Sequence, residues 1–379
     1  MPPNTQVLII QEVMKHYRVP FYEKLHTLLS NESIQLRVAY SPPYGSHLQK
    51  ADNSDLPPSF GGLIIPITPL FHSKLVYQHA LSLILESDLI IVEQANKHLI
   101  NYILMLLSLF KIKRFAFWGH GRNFQVCNLN LKERVKQKLI TTPDWWFAYT
   151  TETADYVSHH QFPASRITTV ENSIDISEFQ KNLANIDQLS INAFRAKLNI
   201  PNQGQIGLYC GAMYSEKELP FLLQSLLLIR QKTPDFSFIF TGAGPDQHLI
   251  EEFCQQHTWA HYVGPVFGEQ KALCFACADM VLNPGLVGLG VLDAFAAGIP
   301  MITTEYPKHS PEIAYLENRH NGIITPFDIN AYANDICELL SQPGLIQQLG
   351  DNAKESAKHY SIENMAKNFA DGIIKALAG

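Results

Sequence analysis

Short apolar runs alternate along this chain with longer stretches of helical periodicity. In the first half, "VLIIQ", "LRVAYS", "LIIPI", "DLIIVEQ", "FAFWGH" and "WWFAYT" read as buried strands, most of them separated by segments of helical length. A polar stretch, "QKNLANIDQLSINAFRAKLNIPNQGQ", interrupts the rhythm. It restarts with "IGLYCGA", "FSFIFTGAG", "HYVGPV", "DMVLNPG", "PMITTE" and "GIITP". Strand, helix, strand in repetition implies parallel sheets with crossover helices. The pattern predicts an α/β protein of two Rossmann-like domains in tandem, residues 1–180 and 181–359, with 181–204 as a linker. Three helical patterns close the chain, beginning near Asp328, Leu345 and Ile362. Open parallel sheets bind ligands beyond the carboxyl ends of their strands, so the residues after each strand are the ones to inspect.

Composition narrows the class. With 379 residues, 46% hydrophobic and 17% charged, the chain is long enough for two cores and has the balance of a soluble globular protein. It has no run of eighteen apolar residues, and the bland stretch "HLINYILMLLSLF" is too short to span a bilayer, so it reads as a buried helix followed by "KIKR". Cysteines 127, 210, 254, 274, 277 and 337 sit mostly in apolar segments, as reduced core cysteines do. Cys274 and Cys277 form a C-x-x-C without a second pair, which favours helix packing over a zinc site. A reducing cytoplasm fits.

Charge adds one asymmetry. Residues 1–180 hold 16 Lys/Arg against 15 Asp/Glu, whereas the remainder holds 13 against 20. The bases of the first half gather at Lys111, Lys113, Arg114, Arg122, Lys132, Arg134, Lys136 and Lys138. No recognition motif for nucleic acid accompanies them, so no nucleic-acid partner is expected. They suit an anionic membrane surface or an anionic acceptor, or simply a solvated helix face in "LKERVKQKL".

Candidate chemistry lies at the strand ends. "LYCG" ends at Gly211 and runs toward Lys217, a cation at a helix start. "FIF" ends in "TGAGP", where Gly242, Gly244 and Pro245 allow close backbone approach or a tight turn. "DMVL" leads into "NPGLVGLGVLDAFAAGIP", where Gly288, Leu289 and Gly290 can present backbone N–H groups to a diphosphate. Asp293 follows in the next helix, placed to accept hydrogen bonds from a sugar or ribose hydroxyl. In the first half, "FWGHGRNFQ" offers His120 and Arg122. Arg18 and Glu93 are further candidates, against the simpler readings of a surface salt bridge for the arginines and a helix cap for Glu93.

Taken in order, these segments resemble family four of the glycosyltransferases. "YRVPFYEKL" is similar to the family's first βα segment in polysaccharide-assembly members, and "ENSIDISEF" to its N-G-I-D…F domain junction. "SEKELPFLLQSL" resembles its eK-G…LL-A stretch, "FTGAGP" its G-x-G-P, and "GVLDAFAAGIPMITT" its second carboxylate helix. Glu312 in "HSPEIAYL" and the pair Asn321–Gly322 match two later positions. The resemblance implies a GT-B fold, two Rossmann-like domains facing across a cleft, with 360–379 crossing back onto the first domain and cleft closure accompanying catalysis. It implies retaining transfer of a sugar from a nucleoside diphosphate, of UDP or GDP type, to a hydroxyl of a glycan or lipid-linked acceptor. Lys217 and the amides near Leu289 and Gly290 would stabilise the departing diphosphate, with no metal and no cofactor, since no D-x-D is present. Asp293 would hold the ribose, His120 the transferring sugar, and the Val263–Gly264 backbone the base. Arg18, Glu93 and Arg122 would face the acceptor. The bases of the first half and "ILMLLSLFKIKR" point to work in the cytoplasm, at the inner membrane face. Two positions depart from the family pattern. The first of its paired glutamates falls on Gly285, and an arginine after the strand glycine falls on Ala212. These departures keep open an alternative, a weakened scaffold subunit of a glycan-assembly complex.

Overall fold

The computed structural model describes residues 5–48, 52–71, 73–121, 139–201 and 203–379. Contacts divide the chain into two units: Met1–Asp175 with Ser361–Gly379, and Ile176–Tyr360. The division falls inside the junction segment "ENSIDISEF".

The first unit holds β1 (Thr5–Val13), β2 (Ile34–Ser41), β3 (Gly62–Ile64), β4 (Ile67–Leu70), β5 (Leu75–Gln78), β6 (Leu89–Glu93), β7 (Arg114–Gly119), β8 (Trp145–Ala148) and β9 (Ile167–Thr169). Seven of these form one sheet in the order β3-β2-β1-β6-β7-β8-β9. Every pairing in it is parallel, as β1 with β2 and with β6 illustrates. Connections run outward from β1 toward β2 and then reverse through β6, so the strand order switches between β1 and β6. β4 and β5 form a separate antiparallel hairpin that the apolar pattern did not predict. β9 is also unpredicted; three half-buried residues leave too short a signal.

The second unit repeats the plan with β10 (Ile206–Cys210), β11 (Ser237–Thr241), β12 (Ala260–Tyr262), β13 (Met280–Leu282), β14 (Met301–Thr304) and β15 (Gly322–Thr325). Their order is β12-β11-β10-β13-β14-β15, again all parallel, with the switch between β10 and β13. Segment 181–204, expected as a linker, is helical over Ser177–Asn185 and Gln188–Lys197. Its buried anchors, Phe179 and Phe194, are too widely spaced among polar residues to announce an amphipathic face.

Helices on both faces explain why the strands are apolar runs rather than alternating patterns. One face of the first sheet packs against helices Val19–Asn31 and Ile362–Ala378, the other against Leu81–Glu86 and Leu99–Leu109. The Leu99–Leu109 helix departs from expectation: Ile100, Asn101 and Leu104 are buried, whereas its last turn is exposed. Among the described residues no helix is long and apolar enough to cross a membrane.

The closing helix starts where the Ser361 hydroxyl accepts the Asn364 N–H at 3.2 Å, a capping bond that satisfies one orphan donor. It buries Phe369 completely, stacked on Phe147 at 4.3 Å and edge-on to Trp118 at 5.0 Å and Phe21 at 5.3 Å. Truncating so enclosed a ring removes its transfer energy and leaves a cavity. Phe369→Ala is expected to destabilise the first unit by about 3–5 kcal/mol. Urea unfolding followed through Trp118, Trp145 and Trp146 checks this, and an unshifted transition would mean the helix is not part of that core.

Candidate functional site

Backbone approach shapes the carboxyl end of the second sheet. The loop after β11 crosses the loop after β10 so closely that a Cβ on Gly242 would overlap the Gly211 carbonyl, and one on Gly244 the Met213 carbonyl. The chains are bonded where they cross, with Gly211 N–H donating to Thr241 O at 3.1 Å and Met213 N–H to Ala243 O at 2.9 Å. Gly264 extends the seam, its carbonyl accepting from Gly242 N–H at 3.1 Å and from the Thr241 hydroxyl at 2.8 Å. Gly242 and Gly244 therefore have structural work in this seam, which sequence alone left balanced against ligand approach, whereas a Cβ on Gly211 would meet nothing closer than the Tyr209 hydroxyl at 3.7 Å. Val263 N–H is also committed, donating to Phe240 O. Among the described residues the Val263 carbonyl and the Gly264 N–H remain without a partner, one acceptor beside one donor.

The loop after β13 is pinned at each step. Pro284 O accepts the Thr304 hydroxyl at 2.6 Å, and Leu286 N–H donates to Glu216 O at 2.7 Å. Leu286 O accepts both the Lys217 ammonium at 2.5 Å and the Asn283 amide at 3.1 Å. Val287 N–H donates to His309 Nδ1 at 3.0 Å, so the ring proton sits on Nε2 and donates to Thr304 O at 2.8 Å. Burial, helped by the charge of Lys217, lowers the pKa of His309 and keeps it neutral. After this clamp, the N–H groups of Gly288, Leu289 and Gly290 have no protein partner among the described residues, and all three are at least partly exposed.

Gly285 has a physical explanation. A Cβ there would overlap the backbone of Glu216 and Lys217, the same segment that supplies the phosphate-facing candidate lysine. The missing glutamate is thus a point of backbone contact rather than an eroded side chain. Ala212 is exposed, its carbonyl accepting the Tyr209 hydroxyl at 2.8 Å.

Charge gathers around the end of β10. Burial lowers the Lys217 ammonium to about 8; it donates to Leu286 O and lies over the Tyr214 ring at 5.7 Å. Asp293, in the helix Val291–Ala297, pairs with Lys271 at 2.7 Å. Lys271 comes from the helix Gly268–Cys277 and lies over the ring of Phe179 at 4.9 Å. Sequence reasoning missed it, and His309, because neither stands in a motif. Burial pushes the Cys210 thiol up to about 12; Asp293 adds to the rise while Lys271 and Lys217 oppose it, so all three charges bear on one place. Glu312 is buried at the start of the short helix Pro311–Tyr315, and Pro245 opens the turn before the helix Gln247–Gln256. Cys274 and Cys277 are buried on a helix that packs in the core.

The first unit assembles a second group. Arg18 is only 5% exposed, not a surface salt-bridge residue, and its guanidinium lies over Trp118 at 5.0 Å, Tyr17 at 5.2 Å and Tyr149 at 5.8 Å. His120 meets the edge of Tyr149 at 4.3 Å. The hydroxyl of Tyr22 and the indole N–H of Trp118 are buried without a partner among the described residues. Glu93 does not cap the following helix; the Asn101 amide, bonded to Glu93 O and Ala95 O, orders that turn. Its carboxylate instead joins Glu12 and His98, their ligating atoms all within 4.8 Å of one another. Burial alone would raise Glu12, but His98, Lys97 and Tyr44 outweigh it and hold the carboxyl well below the usual range. Lys97 Nζ lies 2.6 Å from Glu12 Oε2, so an ammonium already supplies the counter-charge a cation would bring. Arg122 lies outside the described residues, as do Lys132, Arg134, Lys136, Lys138 and Cys127.

Comparison with known proteins extends the picture. Residues 204–342 match the family model described as "Glycosyl transferases group 1". The chain is similar to the alpha-monoglucosyldiacylglycerol synthase of Acholeplasma laidlawii, 25% identical over 208 residues that cover 53% of this chain and 50% of that protein. A D-inositol 3-phosphate glycosyltransferase of Streptomyces bingchenggensis is 23% identical over 261 residues, 64% of this chain and 55% of its own. The chain thus spans about half the length of the curated relatives it matches. Solved structures align over nearly the whole chain. A glycosyltransferase from Rickettsia africae has a TM-score of 0.70 at 15% identity, covering 99% of both chains. Anabaena HepE, solved with UDP and glucose, has a TM-score of 0.67 at 14% identity, covering 98% of this chain and 99% of its own. At such identity the likeness establishes the fold, which is GT-B with two Rossmann-like domains.

The contact at Gly285 gives a direct test. Gly285→Ala is expected to cost about 1–3 kcal/mol through forced backbone displacement, a melting-temperature loss of roughly 2–10 °C. Gly285→Glu should do at least as much harm and should not act as a repair. Melting at the wild-type temperature would show that the loop has room after all.

Proposed function

We propose that the chain is a retaining glycosyltransferase, moving a sugar from a nucleoside diphosphate to a hydroxyl of a glycan or lipid-linked glycan acceptor. One observation carries this reading. At the strand-order switch of the second sheet, the Lys217 ammonium, bonded to the Leu286 carbonyl and without a paired acid among the described residues, stands beside a clamped loop that ends in three amides with no partner among those residues. Those groups suit a diphosphate, whose charge grows as the sugar bond breaks, and fixed donors aimed at developing charge need no reorganisation during reaction. The likeness of 204–342 to group 1 glycosyl transferases supports the same assignment, and the UDP carried by Anabaena HepE supports a nucleotide donor of that kind.

Each remaining part then has a task. Val263 O and Gly264 N–H offer an acceptor and a donor to a base edge, a pairing that both uracil and guanine satisfy. Asp293 takes a ribose hydroxyl, with Lys271 holding its carboxylate in place; its reach is one methylene shorter than a glutamate's. Lys217 and the free amides neutralise the leaving diphosphate without a metal. In the first unit His120 contacts the transferring sugar, and Arg18 and Glu93 face the acceptor. The scaffold alternative rested on Gly285 and Ala212. It is not favoured, because Gly285 is explained by packing.

Thermal-shift titration with UDP, GDP, ADP and dTDP in the absence of metal tests the donor site. A nucleotide at a hundred times its dissociation constant should add about 2.7 kcal/mol of stability, and Asp293→Ala should weaken its binding at least tenfold. If no nucleotide moves the wild-type melt at millimolar concentration, the donor assignment fails.

Proton linkage gives an independent check. A diphosphate beside Lys217 favours the ammonium and lifts its pKa back from about 8 toward the ordinary 10.5. Binding should therefore take up a proton within that window, and affinity should decline as pH rises through it. Calorimetry in buffers of different ionisation enthalpy measures the uptake, which Lys217→Met should abolish. Equal heats in all buffers for the wild type would remove Lys217 from the phosphate site.

A further inference from the structure

Two carboxylates and an imidazole meet at the strand-order switch of the first sheet. Glu12 lies near the end of β1, Glu93 ends the neighbouring β6, and the turn that follows carries His98. Parallel strands on either side of a switch leave a crevice at their carboxyl ends. Glu12 is 8% exposed and His98 3%, with Glu93 half-buried beside them. One ligating atom from each of the three lies within 4.8 Å of the other two. His98 Nε2 stands 3.5 Å from Glu12 Oε2, too far for a strong hydrogen bond, and has no hydrogen-bond partner among the described residues. A buried ring nitrogen aimed at a carboxylate without bonding to it calls for a third party. The spacing says which kind. Metal bonds of about 2.0–2.2 Å at a tetrahedral angle put two ligand atoms about 3.4 Å apart.

Lys97 competes for this place. Its ammonium lies 2.6 Å from Glu12 Oε2 and 2.7 Å from Oε1. That answers one carboxylate of the two, because Glu93 forms no ion pair among the described residues. Arg18, which acts on the Tyr22 hydroxyl together with Glu93, is no exception. The Lys97 side chain is 39% exposed, whereas the backbone around it is held. Lys97 O accepts Val76 N–H at 2.8 Å, and His98 N–H donates to Ala95 O at 3.2 Å. The ammonium can therefore turn into solvent without displacing His98. Exchanging it for a dication neutralises Glu12 and Glu93 together. His47 Nε2, 3.4 Å from Glu12 Oε1, offers a fourth donor at the other oxygen.

We infer that Glu12, Glu93 and His98 form a binding site for a divalent cation of the zinc class, with the Lys97 ammonium as its built-in competitor. Mixed imidazole and carboxylate ligands suit Zn²⁺, whereas Mg²⁺ takes oxygen ligands in an octahedral array and gives up its waters reluctantly. The site belongs to the first unit and the proposed donor groups to the second. The inference therefore goes beyond the transfer reaction and needs neither nucleotide nor sugar.

Equilibrium dialysis of the chelator-stripped full chain against Zn²⁺, with bound metal read by mass spectrometry, tests it. One Zn²⁺ per chain should bind, and a roughly tenfold excess of Mg²⁺ should leave it in place. Glu12→Gln and His98→Ala should each weaken binding at least tenfold. Lys97→Met should do the opposite and tighten it several-fold, a change of sign that a merely structural lysine would not give. Melting in chelator reports the folding of each variant, and the exposed Lys97 keeps the question decidable where a buried substitution fails to fold. All folded variants should keep the nucleotide-induced shift, so a failed donor site and a failed metal site give different results. No stoichiometric binding to the wild type, or binding that both weakening variants leave intact, would overturn the proposal. So would a Lys97→Met variant that binds no tighter than the wild type, or displacement of the zinc by Mg²⁺.

Discussion

Contact between backbones without side chains is the constraint on which the second unit's functional end depends. The loop after β11 lies on the loop after β10, and the loop after β13 lies on the segment around Lys217, each at a distance no Cβ tolerates. Such contact lets N–H and C=O groups of different loops bond one another, as Met213 with Ala243 and Leu286 with Glu216 do. It also makes these loops one rigid layer. A ligand meeting that layer finds its donors fixed, because the groups needed for the fold are already paired and only the remainder faces outward.

Electrostatics follow from this layer. Leu286 O receives Lys217 and Asn283 together, which holds the ammonium in a half-buried place that water serves poorly. Desolvation lowers its pKa, and an anion can relieve that cost. Asp293 is treated differently: the Lys271 ammonium lies 2.7 Å from its carboxylate. Two cations and one anion around Cys210 leave a net positive environment, the sign a diphosphate requires. His309, whose Nδ1 accepts the Val287 N–H and whose burial disfavours the charged ring, contributes position without charge.

Sequence carried the architecture well, because parallel strands buried on both faces leave uninterrupted apolar runs. Most runs read as strands are strands, and the candidate chemistry was sought after β10, β11 and β13. It could not distinguish why a glycine is there. Gly242 is identical in print whether it admits a ligand or another loop, and Gly285 looked like a lost glutamate when it is a packing contact. Lone residues were equally silent: Lys271 and His309 matter through what the fold brings near them, and "VLIIQEV" gives no hint that Glu12 ends beside Lys97 and His98. The short strand β9 and the polar helices of 177–197 escaped for want of periodic signal.

The least legible dependence is the one between the last helix and the functional end of the first sheet. Arg18 is a buried charge, tolerated because aromatic faces surround it; such contacts contribute about 0.5–2 kcal/mol each when desolvated. Those faces must be held. Phe369, from the closing helix, lies against Trp118, and Met365, one turn earlier, accepts from both the Arg18 guanidinium at 3.8 Å and Ser173 N–H at 3.2 Å. The helix therefore does more than cover apolar surface: its side chains form one wall of the enclosure that fixes the arginine. Residues at the two ends of the chain thus determine one local geometry. A segment that reads in isolation as an ordinary amphipathic helix is, in the folded unit, part of the candidate acceptor side.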